Sequence, residues 1–205
     1  MSLGGTESYR SFDGALPDRV KAAVATAERL EFGYCVRPEI GRLLAVLASG
    51  LPTGSIVGET GTGTGAGLAW MVEAARPDVR FVSIERVESQ VVSARPLFAD
   101  RPNVEIVHGD SASITDHGPF DLLVLDGGPG SGKGPDAPMD PLVGLVPGGT
   151  LTVDDFTPMG QWPPRHAGEI DTPRQHWLDH PHLLSTEIRV APDLSILVCR
   201  RYDES

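Results

Sequence analysis

The chain has 205 residues, 40% of them hydrophobic and 22% charged, enough for one soluble domain with a full core. A formal net charge of −11 repels nucleic acid and anionic lipid, so neither is expected as a partner. No apolar run can span a bilayer, no signal-peptide pattern is present, and Cys35 and Cys199 stand in no metal or redox spacing, so reduced thiols in a cytoplasmic protein are expected.

Val20, Val24, Ala27 and Leu30 fall at helical spacing and predict a helix over residues 18–30; "RPEIGRLLAVLASG" predicts a second that stops near Gly50. Strand and helix patterns then alternate. "GSIVGET" reads as a short buried strand and "GAGLAWMVEAAR" as a helix ended by Pro77. "VRFVSIE" is a strand, "VESQVVSARPLFA" a helix broken near Pro96, and "VEIVHGD" a strand. "FDLLVLD" is apolar through its middle, as a central parallel strand is. "DAPMDPLVGLV" supports a short helix at most, and "GGTLTVDDF" a strand. "TPRQHWLDH" has a capping-box pattern, with Thr172 as cap, Pro173 at the first helical position and Gln175 three after the cap. "HLLSTEIRV" and "DLSILVCRR" form a hairpin through Ala191, Pro192 and Asp193. The pattern predicts a doubly wound, Rossmann-like α/β sheet with an antiparallel C-terminal hairpin. One domain is expected over residues 1–205, with residues 11–50 as a helical cap on a core from residue 51.

Ligands on such sheets sit at the carboxyl ends of the strands. Here those ends carry Glu59, Glu85, Asp110, Asp126 and the pair Asp154 and Asp155. A run of acids along one edge suits a cationic or hydroxyl-rich ligand, or a metal.

The fourth strand leads into "DGGPGSGKG", which satisfies G-x-x-x-x-G-K from Gly127 to Lys133. It is nevertheless a poor phosphate loop. Gly134 replaces the Ser or Thr that would hold Mg²⁺, "GPDAP" follows instead of a helix, and the first strand already has a glycine loop, "GETGTGTGAG". That first loop also passes as a dinucleotide fingerprint, Gly61-x-Gly63-x-x-Ala66, with Glu85 at about the offset of a ribose-binding acid. An NAD-linked oxidoreductase is thus an alternative. Glu59 argues against it, because a carboxylate about 5 Å from a phosphate costs about 3 kcal/mol at an effective dielectric near 20. A ligand with an ammonium or sulfonium would be attracted instead.

"ETGTGTG" resembles the E/D-x-G-x-G-x-G motif of class I S-adenosylmethionine-dependent methyltransferases. "VSIE", "HGDS", "FDLLVLD" and "LVPGGTLTVDD" resemble the motifs that follow, in the same order. The resemblance implies that Glu59, Gly61 and Gly63 shape the methionine end and that Glu85 binds the ribose hydroxyls. It further implies that Asp110 or Ser111 meets the adenine edge with Arg86 flanking the ring, and that Asp126 faces the cofactor. A non-catalytic module that keeps the cofactor fold is a third alternative.

Asp126, Asp154 and Asp155 also resemble the metal triad of the catechol and caffeoyl-CoA type O-methyltransferases. That likeness implies a divalent cation such as Mg²⁺ and a small-molecule hydroxyl as acceptor. Asp155 stands where that subfamily has Asn, and Pro129 where it has a lysine base. Lys133, one of two lysines in the chain, is the candidate base. Met159 and Trp162, in a stretch without periodicity, are candidates to wall an acceptor or, for Trp162, to cover the core. Trp70 and Trp177 are expected to pack, and His176, His180 and His182 to be a solvated helix end. The N-terminal helices are expected either to cap the site or to build a homodimer.

Overall fold

The computed structural model describes residues 4–126, 130–134 and 137–202. A short helix α1 (Gly5–Ser8) and a 3₁₀ turn (Tyr9–Ser11) precede α2 (Asp18–Arg29) and α3 (Pro38–Ser49). Then come β1 (Ile56–Thr60), α4 (Ala66–Ala74), β2 (Arg80–Glu85), α5 (Glu88–Ala94) with a 3₁₀ turn at Arg95–Phe98, and β3 (Val104–His108). A 3₁₀ helix (Ser111–His117) leads to β4 (Phe120–Leu125), α6 (Pro141–Gly144) and β5 (Leu145–Phe156). A small hairpin, β6 (Arg165–His166) and β7 (Glu169–Ile170), precedes α7 (Thr172–Leu178), β8 (Leu183–Ala191) and β9 (Leu194–Arg201).

Seven strands form one sheet in the order β3-β2-β1-β4-β5-β9-β8. All pairings from β3 to β5 are parallel, and β9 runs antiparallel between β5 and β8. The two faces follow from the two-residue side-chain period of a strand. Leu122 and Val124 join the core under α2, α3, α4 and α5. Leu123 and Leu125 join the opposite core, with Ile114 and Trp177. Gly41 lets α3 lie on Trp70, since a Cβ there would meet the indole at 2.3 Å. Trp70 and Trp177 are both packing residues, as expected. No helix among the described residues is long and apolar enough to cross a membrane.

Two local readings change. The cap of α7 is Asp171, not Thr172: its carboxylate accepts from Arg174 N at 3.2 Å, which makes Thr172 and Pro173 the first two helical residues. The stretch after Phe156 contains the β6–β7 hairpin, whose turn uses Ala167 and Gly168 at positive φ. The connection after β3 is helical, nucleated by Asp110 accepting from Ala112 N at 2.8 Å.

Candidate functional site

The glycine loop leaves β1 and enters α4 with Gly61, Gly63 and Gly65 all at positive φ, a conformation that costs a side chain about 1–2 kcal/mol. Gly61 is also sterically required: a Cβ would lie 2.1 Å from the carbonyl oxygen of Asp126. The loop is therefore pressed against the end of β4. Phe32 closes its other side, 3.0 Å from a Cβ built on Gly63. Cys35 Sγ is 3.5 Å from Thr64 Oγ1. The segment before α3 thus covers the loop, held down by Thr6 N donating to Gly33 O at 3.3 Å and Tyr9 Oη donating to Val36 O at 2.9 Å.

Glu85 is buried at the end of β2, where its carboxylate clamps the backbone. Oε2 accepts from Gly63 N at 2.8 Å and Oε1 from Val87 N at 2.8 Å. Asp110 and Arg86 are exposed next to it, and Ser111 is buried. Asp110 and Ala112 border a cavity of about 410 Å³ whose far side is Met139 and Val143.

Glu59 lies beneath the loop, a placement the sequence does not disclose. Its Oε2 accepts from Ser83 Oγ at 2.5 Å, and Ser83 shares a 2.6 Å hydrogen bond with Thr62. Gly67 leaves it room, since a Cβ there would meet Oε1 at 2.6 Å. Burial, opposed by the Ser83 bond and aided by Asp126 and Glu85, pushes its pKa up from 4.5 to about 8. Burial thus works against the ionised form on which the repulsion of phosphate expected from the sequence depends.

The raised pKa of Glu59 makes folding depend on pH. Below pH 4.5 both folded and unfolded chains hold the proton. Between 4.5 and 8 only the folded chain does, so stability falls as pH rises, by about 1 kcal/mol per pH unit, and the loss is complete above 8. Glu59→Gln should remove this slope. Urea unfolding of both proteins from pH 5 to pH 8 should show the variant gaining on the parent as pH rises; a constant difference would refute the assignment.

Asp126, at the end of β4, converges with Asp154 and Asp155 from β5, one carboxylate oxygen of each lying within 4.8 Å of the others. Neighbouring strand residues normally point to opposite faces. Here the β5–β9 register shifts between Val153 and Phe156, and Asp155 has φ 57°. This bulge turns both acids to one side, and Asp tolerates the left-handed conformation better than most residues. Burial raises the pKa of Asp126. Burial first, and then Asp126, raises that of Asp154 well above the ordinary carboxyl value. Asp154 Oδ1 is buried with no hydrogen-bond partner. An all-carboxylate set with an open buried oxygen fits a hard divalent cation such as Mg²⁺.

Lys133 reaches this end of the site. Its Nζ donates to the carbonyl oxygen of Asp154 and lies 4.3 Å from the centroid of the Phe156 ring. Residues 131–134 form bends and not a helix start, consistent with the rejection of a phosphate loop. Residues 127–129, which complete the G-x-x-x-x-G-K match and include Pro129, lie outside the described residues.

The support behind Lys133 is not legible in the sequence. The guanidinium of Arg174 sits 4.8 Å from the same Phe156 ring. Arg174 is buried, with Nε 3.1 Å from Asp171, Nη1 donating to Glu187 at 3.3 Å and Nη2 to Thr157 O at 2.6 Å. Its one sequence signal is an Asp three residues before it at a helix start. A cavity of about 350 Å³ opens between Lys133, Asp155 and Phe156 on one side and the β6–β7 hairpin on the other. Trp162 is 55% exposed, so it does not cover the core. Among the described residues the acidic triad is the sole cluster of metal-ligating type, so the histidines near α7 form none.

No family model and no curated protein sequence matches the chain. Solved structures do. The O-methyltransferase TomG from Streptomyces achromogenes, involved in tomaymycin synthesis and solved with S-adenosylmethionine, is 19% identical, with coverage of 97% of this chain and 96% of that one and a TM-score of 0.70. Cofactor-bound Rv0187 from MTB is 22% identical over 99% of each chain, TM-score 0.72. An O-methyltransferase from Bacillus cereus in complex with S-adenosylhomocysteine is 17% identical over 96% of each, TM-score 0.70. With the strand order above, these likenesses show that the chain has the Rossmann-like fold of the S-adenosylmethionine-dependent methyltransferases.

Proposed function

We propose that the protein is an S-adenosylmethionine-dependent methyltransferase that acts on a hydroxyl oxygen of a small molecule, assisted by a divalent cation. The observation that carries this reading is the contact of Gly61 with the Asp126 carbonyl. It joins a cofactor loop and an acidic triad at one sheet edge, with Lys133 beside them.

In this reading the glycine loop and the α4 N-terminus receive the methionine end of the cofactor, with backbone N–H groups facing its carboxylate. Glu85 meets the ribose, and the cavity beside Asp110 and Ser111, flanked by Arg86, takes the adenine. Asp126, Asp154 and Asp155 would hold the cation, and its charge would supply acidification of the acceptor hydroxyl. Lys133 takes the hydroxyl proton. The oxygen attacks the methyl carbon, the carbon–sulfur bond breaks, and its electron pair stays on sulfur, leaving a neutral thioether. The chain contributes mainly alignment and charge placement.

Calorimetric titration with S-adenosylhomocysteine tests the cofactor half. Micromolar binding to folded protein is expected. No binding at millimolar ligand, or tighter binding of NAD, would overturn the reading.

A further inference from the structure

Lys133 lies in a segment that local propensity leaves free to turn. Gly130 and Gly132 have positive φ, 93° and 76°, and Gly134 follows. The lysine itself is exposed, so burial does not hold it. Its Nζ nevertheless meets the Asp154 carbonyl and the Phe156 ring.

Two contacts on the inner side pin the backbone of this segment. Met139 N donates to Gly130 O at 3.0 Å where the segment begins. One residue on, Trp177 Nε1 donates to Ser131 O at 2.8 Å. Both residues of that second bond are buried. A buried indole N–H needs an acceptor, and Trp177 takes the carbonyl two residues before the lysine. Packing is thus not its only contact. Lys133 N donates to Ser131 Oγ at 3.3 Å, which closes the turn between them. Gly132 fits there because it has no side chain: a Cβ would meet Pro138 at 2.7 Å. Trp177 and Phe156 belong to one core cluster. Arg174, three residues earlier on α7, also lies on the Phe156 ring, at 4.8 Å. Helix α7 therefore sets both the carbonyl from which the lysine turn starts and the ring against which Nζ lies.

Resting on the proposed methyltransferase reading, we infer that Trp177 is a positioning residue for methyl transfer, holding the Lys133 amine at the cation end through the Ser131 carbonyl. Trp177 acts through the backbone of another segment, and that segment is remote from the glycine loop and Glu85. Loss of its N–H should slow the transfer step and spare cofactor binding.

The chain has two lysines, and the other, Lys21, is exposed beside Asp18. The full chain labelled with ¹³C-lysine therefore gives two ε-methylene signals, which Lys133→Arg assigns. In the parent the Lys133 signal should lie upfield of the Lys21 signal, shielded by the Phe156 ring, and the Trp177 indole N–H should exchange slowly with solvent. Trp177→Phe keeps an aromatic ring in the core and removes the donor, so the Lys133 signal should move to the Lys21 position. With S-adenosylmethionine, Mg²⁺ and catechol as the probe acceptor, the same variant should lower kcat about 10- to 100-fold, the order that a misplacement near 1 Å costs. KM for S-adenosylmethionine should stay within about twofold. Added to Lys133→Met, Trp177→Phe should change kcat by less than about twofold, because no amine is left to position.

A Lys133 signal at the Lys21 position in the parent, a fast-exchanging Trp177 indole, or a signal that stays upfield in Trp177→Phe would overturn the inference. So would an equal loss of kcat in the parent and Lys133→Met backgrounds, the mark of a merely structural role. The two parent measurements decide the contact even where the variant does not fold, and the spectra require no acceptor. If the shift depends on Trp177 but S-adenosylhomocysteine does not bind, the methyltransferase reading fails and the placement of Lys133 stands. If S-adenosylhomocysteine binds and the shift is absent, the inference fails alone.

Discussion

Asp154→Asn is expected to lower methyl transfer roughly a thousandfold, the several kcal/mol that a bound cation supplies to an ionising hydroxyl, while leaving S-adenosylhomocysteine affinity within about twofold. The separation follows from position. Asp154 sits on β5 against Asp126 and has a buried oxygen without a partner. The glycine loop and Glu85 belong to β1 and β2, on the other side of β4. Asn keeps the shape and removes one of three crowded carboxyl groups, so the melting temperature should hold or rise, which excludes unfolding as the cause. Initial rates across a Mg²⁺ titration and calorimetry with S-adenosylhomocysteine make the measurement. Full turnover in the variant, or equal turnover of the parent after exhaustive chelation, would remove the cation from the mechanism.

Gly61→Ala should destabilise the fold itself by about 2–5 kcal/mol. About 1–2 comes from placing a Cβ in the left-handed region, and about 1–3 from forcing the loop off the Asp126 carbonyl. For a chain of this size that is a fall of about 10 °C in melting temperature. Cofactor binding should be lost with it, because the amides of the loop move together. Gly134→Ala is the control: it has no positive φ, and a Cβ there meets nothing within 4 Å. Its melting temperature should change by less than about 2 °C. Equal effects of the two substitutions would show that the contact at Gly61 is not what shapes the loop.

The parts of the site legible in the sequence are those set by local rules. A strand must end where its apolar run meets a turn residue, so Glu85 and Asp126 could be placed at one edge without coordinates. A glycine loop between a strand and a helix declares itself in the same way. What was not legible depends on side-chain direction or on long-range pairing. The acid Glu59 could be placed on β1, but not that it turns beneath the loop to Ser83. The bulge that turns Asp154 and Asp155 together arises from the pairing of β5 with β9, some forty residues later in the chain. Arg174 finds Glu187 and Thr157 only after α7 has folded back, and no periodicity encodes that meeting. Lys133 was visible as an oddity, but its reach depends on the turn of a glycine-rich segment that local propensity leaves open.

The β5 bulge ties the acidic pair to the C-terminal strands. Pairing resumes at Phe156 opposite Ser195, and Ser195 Oγ bonds both the Phe156 carbonyl and, at 2.6 Å, Glu187. On the proposed methyltransferase reading, one half of the sheet builds the donor end and the other half the acceptor end, with Asp126 on the dividing line. On that reading, inherited variation in β8, β9 and the β6–β7 hairpin would retune what is methylated without disturbing how the methyl group is supplied. For an engineer, this makes acceptor choice and cofactor affinity two dials on separate shafts, and a library confined to residues 156–195 should change the first while leaving the second where it was.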